Sequence, residues 1–322
     1  MSVHRDVPAL RVGVSALFNP ADTPHARTFL RALCVARNFM PALSQVQWRF
    51  LDDGATALRG AEVARQMVEW KADVVVGHFS SDAAISAAAL YRQAAIPLLT
   101  PAATIDTLTL ENPNAFRFCP SDRQLAADLL AWLPTQGWRV LHIGADDSAH
   151  GRSLAASLSK AARHAGLCQV TDPEKAQVEI FAGRLRASRD HWRARRATGS
   201  KRPLVFTDDA MSPQIGSAQD GDLDSYVVGF GEPDARTCPS HARHCQLFGS
   251  AAPTYYRESL LMFHVLEQLA TSPWRKAGLS HALNHTTFDT PLGQVGFDQG
   301  ECRGTFSRIW RIGPTGLIPL SG

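Results

Sequence analysis

The first hundred residues alternate short apolar stretches with longer segments that carry a single apolar face. Ala9 to Leu17 reads as a strand, and His25 to Phe39 as an amphipathic helix with Phe29, Leu33 and Ala36 on one stripe. Val46, Trp48 and Phe50 alternate as a second strand ending at Asp52-Asp53-Gly54. A helix from about Ala61 to Trp70 follows, with Val63, Met67 and Trp70 at helical spacing. Asp73-Val-Val-Val-Gly77 is apolar almost throughout, the pattern of a strand buried on both faces. Ser81 to Ala94 predicts another helix and Ile96-Pro-Leu-Leu-Thr100 another strand. Such strand and helix alternation builds a parallel sheet.

After Phe116-Arg-Phe-Cys-Pro-Ser-Asp122 the pattern begins again. It runs through a helix from Leu125 to Leu133, a strand at Arg139 to Gly144 and a helix from about Gly151 to His164. Strands at Val178 to Ala182, Pro203 to Thr207 and Tyr226 to Phe230 come next, separated by an Arg-rich helix and a polar loop at Ser212 to Asp224. This is the signature of a second α/β lobe. The tail differs: a long helix from Tyr255 to about Thr271 precedes a segment with turns at Pro291, Gly293 and Gly300 and a final strand, Ser307 to Ile312. That chemistry predicts a β-rich closing segment.

The length of 322 residues allows two lobes, each with its own core. An apolar fraction of 45% with 20% charged residues is that of a globular protein, and no apolar run is long enough to cross a bilayer. The net charge of +3 is too small for an extended nucleic-acid surface. Met1 to Pro8 contains no apolar signal region. The expectation is a cytoplasmic protein if Met1 is the native start, and a periplasmic one if the start is misplaced or trimmed. Cysteines 34, 119, 168, 238, 245 and 302 form no CxxC pair, so reduced thiols are expected.

In open parallel sheets, ligands sit outside the carboxyl ends of the strands. Two loops there have suitable chemistry: Gly77-His-Phe-Ser-Ser81 and Thr100-Pro-Ala-Ala-Thr104. Ser80 and Ser81 stand where a helix begins, so free amide hydrogens and the helix dipole favour a carboxylate there. Ser81 read simply as an N-cap explains the residue equally well, and Thr104 is open to the same two readings.

Five segments then carry a resemblance. Asp52-Asp-Gly54, Gly77 to Ser81, Ile96 to Thr104, Phe116 to Asp122 and Phe288-Asp-Thr-Pro-Leu-Gly293 follow, in order and spacing, the pattern of the leucine/isoleucine/valine-binding protein family. The resemblance implies an α/β type I periplasmic-binding-protein fold, with two Rossmann-like lobes of parallel sheet joined by three crossing strands. Lobe 1 would hold residues 1–119 and 248–286, and lobe 2 residues 120–247 and 287–322. It also implies that Ser81, Ala102 and Thr104, flanked by Ser80 and Ala103, hold the carboxylate and ammonium of an amino acid, with Phe79 beside the pocket. Where the family has a Tyr before a Gly in the second lobe, this chain has His150-Gly151. The family's acidic partner for the ammonium corresponds to Asp208 or Asp209.

Cys238-Pro-Ser-His-Ala-Arg-His-Cys245 holds four potential zinc ligands, but on a helix Cys238 lies away from His241, His244 and Cys245. The basic run Arg184 to Arg202 reads as a solvated helix face. No GxSxG, HExxH, P-loop or GxGxxG motif is present, and the pairs Asp52/Asp53, Asp146/Asp147 and Asp208/Asp209 are adjacent, so their side chains should diverge. The expectation is a binding protein, with no enzymatic activity, cofactor or metal. It would close its lobes on a small zwitterionic ligand as the solute-binding component of an ABC transporter, with a permease as partner. A cytoplasmic sensor of the amide-binding type, with a regulatory protein as partner, is a second reading, and a metal-binding protein using Cys238, His241, His244 and Cys245 a third. No nucleic acid and no membrane insertion are expected.

Overall fold

The computed structural model describes residues 9–19, 25–216, 224–230, 238–272, 278–314 and 316–320. The N-terminal segment Met1 to Pro8 and most of the expected polar loop at Ser212 to Asp224 lie outside them.

The first run is β1 (Arg11–Ala16), α1 (His25–Ala36), β2 (Gln47–Asp52), α2 (Ala57–Glu69), β3 (Val74–Gly77), α3 (Ser81–Gln93), β4 (Leu98–Thr100), α4 (Thr107–Glu111) and β5 (Ala115–Arg117). The second is α5 (Asp122–Trp132), β6 (Val140–Ala145), α6 (Ala149–His164), β7 (Cys168–Gln169), β8 (Val178–Ala182), α7 (Leu185–Ala197), β9 (Leu204–Phe206) and β10 (Ser225–Phe230). Helices α8 (Pro239–Phe248), α9 (Tyr256–Thr271) and α10 (Leu279–His285) follow. Six short strands close the chain: β11 (Phe288–Thr290), β12 (Gly293–Val295), β13 (Phe297–Asp298), β14 (Glu301–Cys302), β15 (Ser307–Gly313) and β16 (Gly316–Pro319).

Two seven-stranded sheets result, in the orders β13-β14-β5-β4-β3-β1-β2 and β16-β15-β10-β9-β8-β6-β7. Strands β1 to β5 pair in parallel with one another, as do β6 to β10, and the expected α/β fold of two mostly parallel sheets is what forms. Strand β3 is apolar because both its faces are covered, and every one of its residues is buried.

Two assignments to lobes need correction. Residues 297–302, expected in lobe 2, add β13 and β14 to the first sheet, with Glu301 opposite Arg117. An ion pair from a fully buried arginine fixes that strand: the Arg117 guanidinium meets the half-buried Glu301 carboxylate, with Nε to Oε2 at 3.0 Å. Helix α8, also expected in lobe 2, packs on α1 of the first lobe, where Arg31 covers Phe248 at 4.7 Å. The chain therefore crosses between lobes after β5, between β10 and α8, and between β14 and β15.

Helix α9 packs on α1, and Phe263 meets Phe29 at 5.1 Å between ring centroids. Phe29 in turn meets Phe79 at 5.4 Å, so the lobe 1 core supports the loop after β3 directly. No described helix is long and apolar enough to cross a membrane.

Candidate functional site

The loops at the carboxyl ends of both sheets face one another, and α3 of the first lobe touches α6 of the second. Between them lies a cavity of about 40 Å³ lined by Leu17, His25, Ala55, Phe79, Ser80 and Ser81, together with Ala102, His150, Arg184 and Asp209. One water needs roughly 10–15 Å³ on that measure, so the space suits about three waters or a ligand of few atoms.

The first wall is built on β3. Gly77 has φ of +112°, and a Cβ there would lie 2.0 Å from the Ser15 carbonyl oxygen, so only glycine lets β3 turn here. His78 follows, fully buried. Its Nδ1 lies 2.9 Å from Asp53 Oδ2 and 3.0 Å from Ser15 Oγ, while its Nε2 lies 2.9 Å from the Tyr91 hydroxyl. Burial opposes the Asp53 carboxylate, but His78 and the Ala55 and Ser15 donors outweigh it and lower its pKa. This network anchors the segment carrying Phe79, Ser80 and Ser81.

Ser80, not Ser81, occupies the N-cap position of α3, and its hydroxyl donates to the Ala55 carbonyl at 3.3 Å instead of capping. Ser81 is the first helical residue, only 4% exposed, and lines the cavity. The capping explanation for Ser81 therefore does not apply.

The second loop is held differently. The Ala102 and Ala103 amides donate to Thr100 Oγ1 at 3.4 and 3.1 Å, and Arg117 Nη1 donates to the Ala103 and Ile105 carbonyls at 3.2 and 2.7 Å. Ala103 is thus occupied by its own scaffold, whereas Ala102 lines the cavity. Thr104 starts no helix. Its hydroxyl lies 3.3 Å from His150 Nδ1, a direct link between the lobes, and its carbonyl accepts from the Asp122 amide at 2.8 Å.

His150 stands in the first turn of α6, where Ser148 caps by accepting from the Gly151 amide at 3.0 Å. A Cβ on Gly151 would lie 2.2 Å from Asp146 Oδ1, so glycine allows this loop to sit tightly. Asp146 also accepts from the Arg184 amide at 2.8 Å, which ties the β6–α6 turn to the β8–α7 turn and places His150 and Arg184 together. Burial works against a charged His150, but Asp208 and Asp209 outweigh it and push its pKa up to about 10.

Asp208 and Asp209 contradict the expectation that neighbouring acids diverge. They lie in a single 3-10 turn (Asp208–Ala210), not in a strand, and both accept from the Tyr255 hydroxyl, at 2.7 and 3.2 Å. Asp209 Oδ1 also lies 3.0 Å from His25 Nε2 of the first lobe. Burial disfavours its charge, yet His25 and His150 more than compensate and hold Asp209 well below the usual carboxylate range. Tyr255 itself stays protonated, its pKa raised by burial and by both acids.

His25, Arg184 and Tyr255 were not among the sequence candidates. His25 opens the helix that follows β1, at the same sheet edge as Ser81, and that position was a usable signal. Tyr255 adopts φ of +66°, a left-handed backbone that costs a non-glycine residue about 1–3 kcal/mol and that no sequence pattern announces.

The other constellations resolve without a ligand. Within α8, His241 and His244 lie against Tyr256, with ring centroids 6.4 and 4.6 Å away, and His244 Nδ1 is 3.2 Å from the Ser250 carbonyl oxygen. Among the described residues, no three of Cys238, His241, His244 and Cys245 come within metal-ligating distance of one another. In the basic run, Arg195 pairs with Glu179 and Glu174 at 2.9 and 2.8 Å, and Arg202 with Glu174 at 3.1 Å. Arg184 is the exception, since it lines the cavity and reaches Asp82 of the first lobe at 3.4 Å.

Comparison with known proteins agrees with this architecture. Residues 44–188 match the family model described as periplasmic binding protein. None of the curated proteins matches the sequence. Among solved structures, an ABC transporter substrate-binding protein from Desulfitobacterium hafniense, in complex with Leu, is 20% identical with a TM-score of 0.80, over 97% of this chain and 100% of that one. A leucine binding protein from Thermotoga maritima is 14% identical with a TM-score of 0.82, over 97% of this chain and 98% of that one. A solute binding protein of an ABC transporter from Rhodopseudomonas palustris, in complex with 3,4-dihydroxy benzoic acid, is 16% identical with a TM-score of 0.79, over 98% of this chain and 97% of that one. The chain is thus similar in sequence to the periplasmic binding protein family model over residues 44–188 and, in fold, to solved substrate-binding and leucine-binding proteins over nearly its whole length.

Proposed function

We propose that this protein is the solute-binding component of an ABC transporter and that it closes its two lobes on a small amino acid or amino-acid-like carboxylate. The observation that carries this reading is the cavity between the lobes, in which Ser81 and Ala102 face His150, Arg184 and Asp209. A carboxylate meets the first turn of α3 and the Arg184 guanidinium, and an ammonium meets Asp209. Contacts from the second lobe exist only in the closed state, and that difference is what drives closure.

The cavity volume favours a compact ligand over one with a long side chain. In this role the protein catalyses nothing and delivers its ligand to a membrane permease. Cell fractionation reports the compartment in which it works. The binding test is a thermal-shift screen against single amino acids and small carboxylates. A ligand at a hundredfold excess over its dissociation constant raises stability by roughly 2.7 kcal/mol, and absence of any shift across the screen contradicts the reading.

A further inference from the structure

Besides offering Asp209 to an ammonium group, the second lobe's wall of the cleft gathers further donor atoms around it. His150 Nε2 and Asp208 Oδ1 face each other at 3.5 Å, both buried, and neither has a hydrogen-bond partner among the described residues. A charge-assisted bond between imidazolium and carboxylate closes to about 2.7–2.9 Å, and this pair, an ion pair when His150 is protonated, is longer than that. Two donors bound at about 2.0–2.1 Å to one tetrahedral ion are separated by roughly 3.4 Å, which is the spacing found. Asp209 completes the group: one ligand atom from each of the three residues lies within 4.8 Å of the others.

The surroundings fit the same chemistry. The far side of the His150 ring meets Thr104 Oγ1 at 3.3 Å. With Nδ1 donating to that hydroxyl, loss of the Nε2 proton to an incoming ion would direct the Nε2 lone pair toward Asp208, the arrangement in which metal-bound imidazoles are held. From behind, the Tyr255 hydroxyl takes Asp208 Oδ2 and Asp209 Oδ1, leaving Asp208 Oδ1 turned toward His150. Asp122 is fully buried next to this group and adds a further carboxyl, so the wall is rich in acidic oxygen.

We propose that His150, Asp208 and Asp209 bind one divalent transition-metal cation, with zinc the best match to imidazole and carboxylate donors in a tetrahedral set. Three protein donors leave a fourth position, and since His150 and Asp209 line the cavity it opens there, toward water or a ligand oxygen. The ion displaces the proton from the imidazolium, so uptake releases a proton. The site shares the cleft with the function proposed above, but its occupancy does not require an amino acid.

The test is calorimetric titration of chelator-treated full-length protein with zinc chloride, without any amino acid, repeated in two buffers of different ionisation heat. The expected result is one ion per chain with proton release, and at least tenfold weaker binding in His150→Gln and in Asp208→Asn. Cobalt(II) titration of the wild type supplies a second readout, with the intense visible absorption of a tetrahedral ion expected. No stoichiometric zinc binding by the wild type, or unchanged binding in both variants when circular dichroism shows them folded, overturns the proposal. Either outcome leaves the amino-acid screen to be decided on its own.

Discussion

Thr104 Oγ1 of the first lobe and His150 Nδ1 of the second lie 3.3 Å apart, and this contact joins the two walls of the cleft. A hydrogen bond of this kind contributes about 0.5–1.5 kcal/mol net. Thr104→Val keeps the side chain's shape and removes the hydroxyl. The expected outcome is ligand binding weakened roughly threefold to tenfold in calorimetry, with the melting temperature of the ligand-free protein changed much less.

Arg184 reaches Asp82 across the same cleft, but both side chains are substantially exposed, at 42% and 32%. Solvent and salt screen such a pair, so its removal should leave stability nearly unchanged. Arg184 also lines the cavity, and Arg184→Ala is expected to slow association with a carboxylate ligand and to flatten its dependence on salt. Stopped-flow kinetics at two ionic strengths measures both.

The buried pair of Asp53 and His78 holds the turn that presents Ser81. Asp53→Asn weakens the acceptor that serves His78 and Ser15 and should cost about 1–3 kcal/mol in urea unfolding. The Asp53 pKa lies below its ordinary value of 3.8. Its contribution to stability is therefore present above about pH 4 and is lost as pH falls through the lowered value.

Glu258, in α9, has the opposite sign. Burial raises its pKa to about 7, against a weaker opposing effect of Arg257. The folded state favours the protonated acid, so stability is highest below the unfolded value near 4.5 and falls as pH rises through about 7. Glu258→Gln is expected to be more stable than the wild type at pH 8 by roughly 2–4 kcal/mol, and to match it near pH 4. Thermal melts across that range report the crossover.

Much of the fold was readable because long elements carry periodicity. The apolar run of β3 and the stripe of α1 each announce their own burial. Strands β13 and β14 have two residues each, too few for any alternation, and only their pairing reveals that the chain returns to the first sheet. A helix over Cys238 to Cys245 could be considered only conditionally from the sequence, and the docking of α8 on α1 depends on tertiary contacts such as Arg31 with Phe248. At the site, Ser81 could be picked out because it stands at a helix start, and His150 because the resemblance places it where the family has a Tyr before a Gly. Asp208 and Asp209 could be placed near the cleft, but their convergence depends on a tight turn and on Tyr255, whose left-handed backbone leaves no trace in the pattern.

The most direct measurement is a crystal structure of the protein with the tightest-binding compound from the screen. That compound is expected between the lobes, with its carboxylate at the first turn of α3 beside Ser81 and Arg184, and with Asp209 and His150 closing over it. A compound bound on the outer surface of either lobe, with the space between Ser81 and Asp209 left to solvent, would contradict the proposed function.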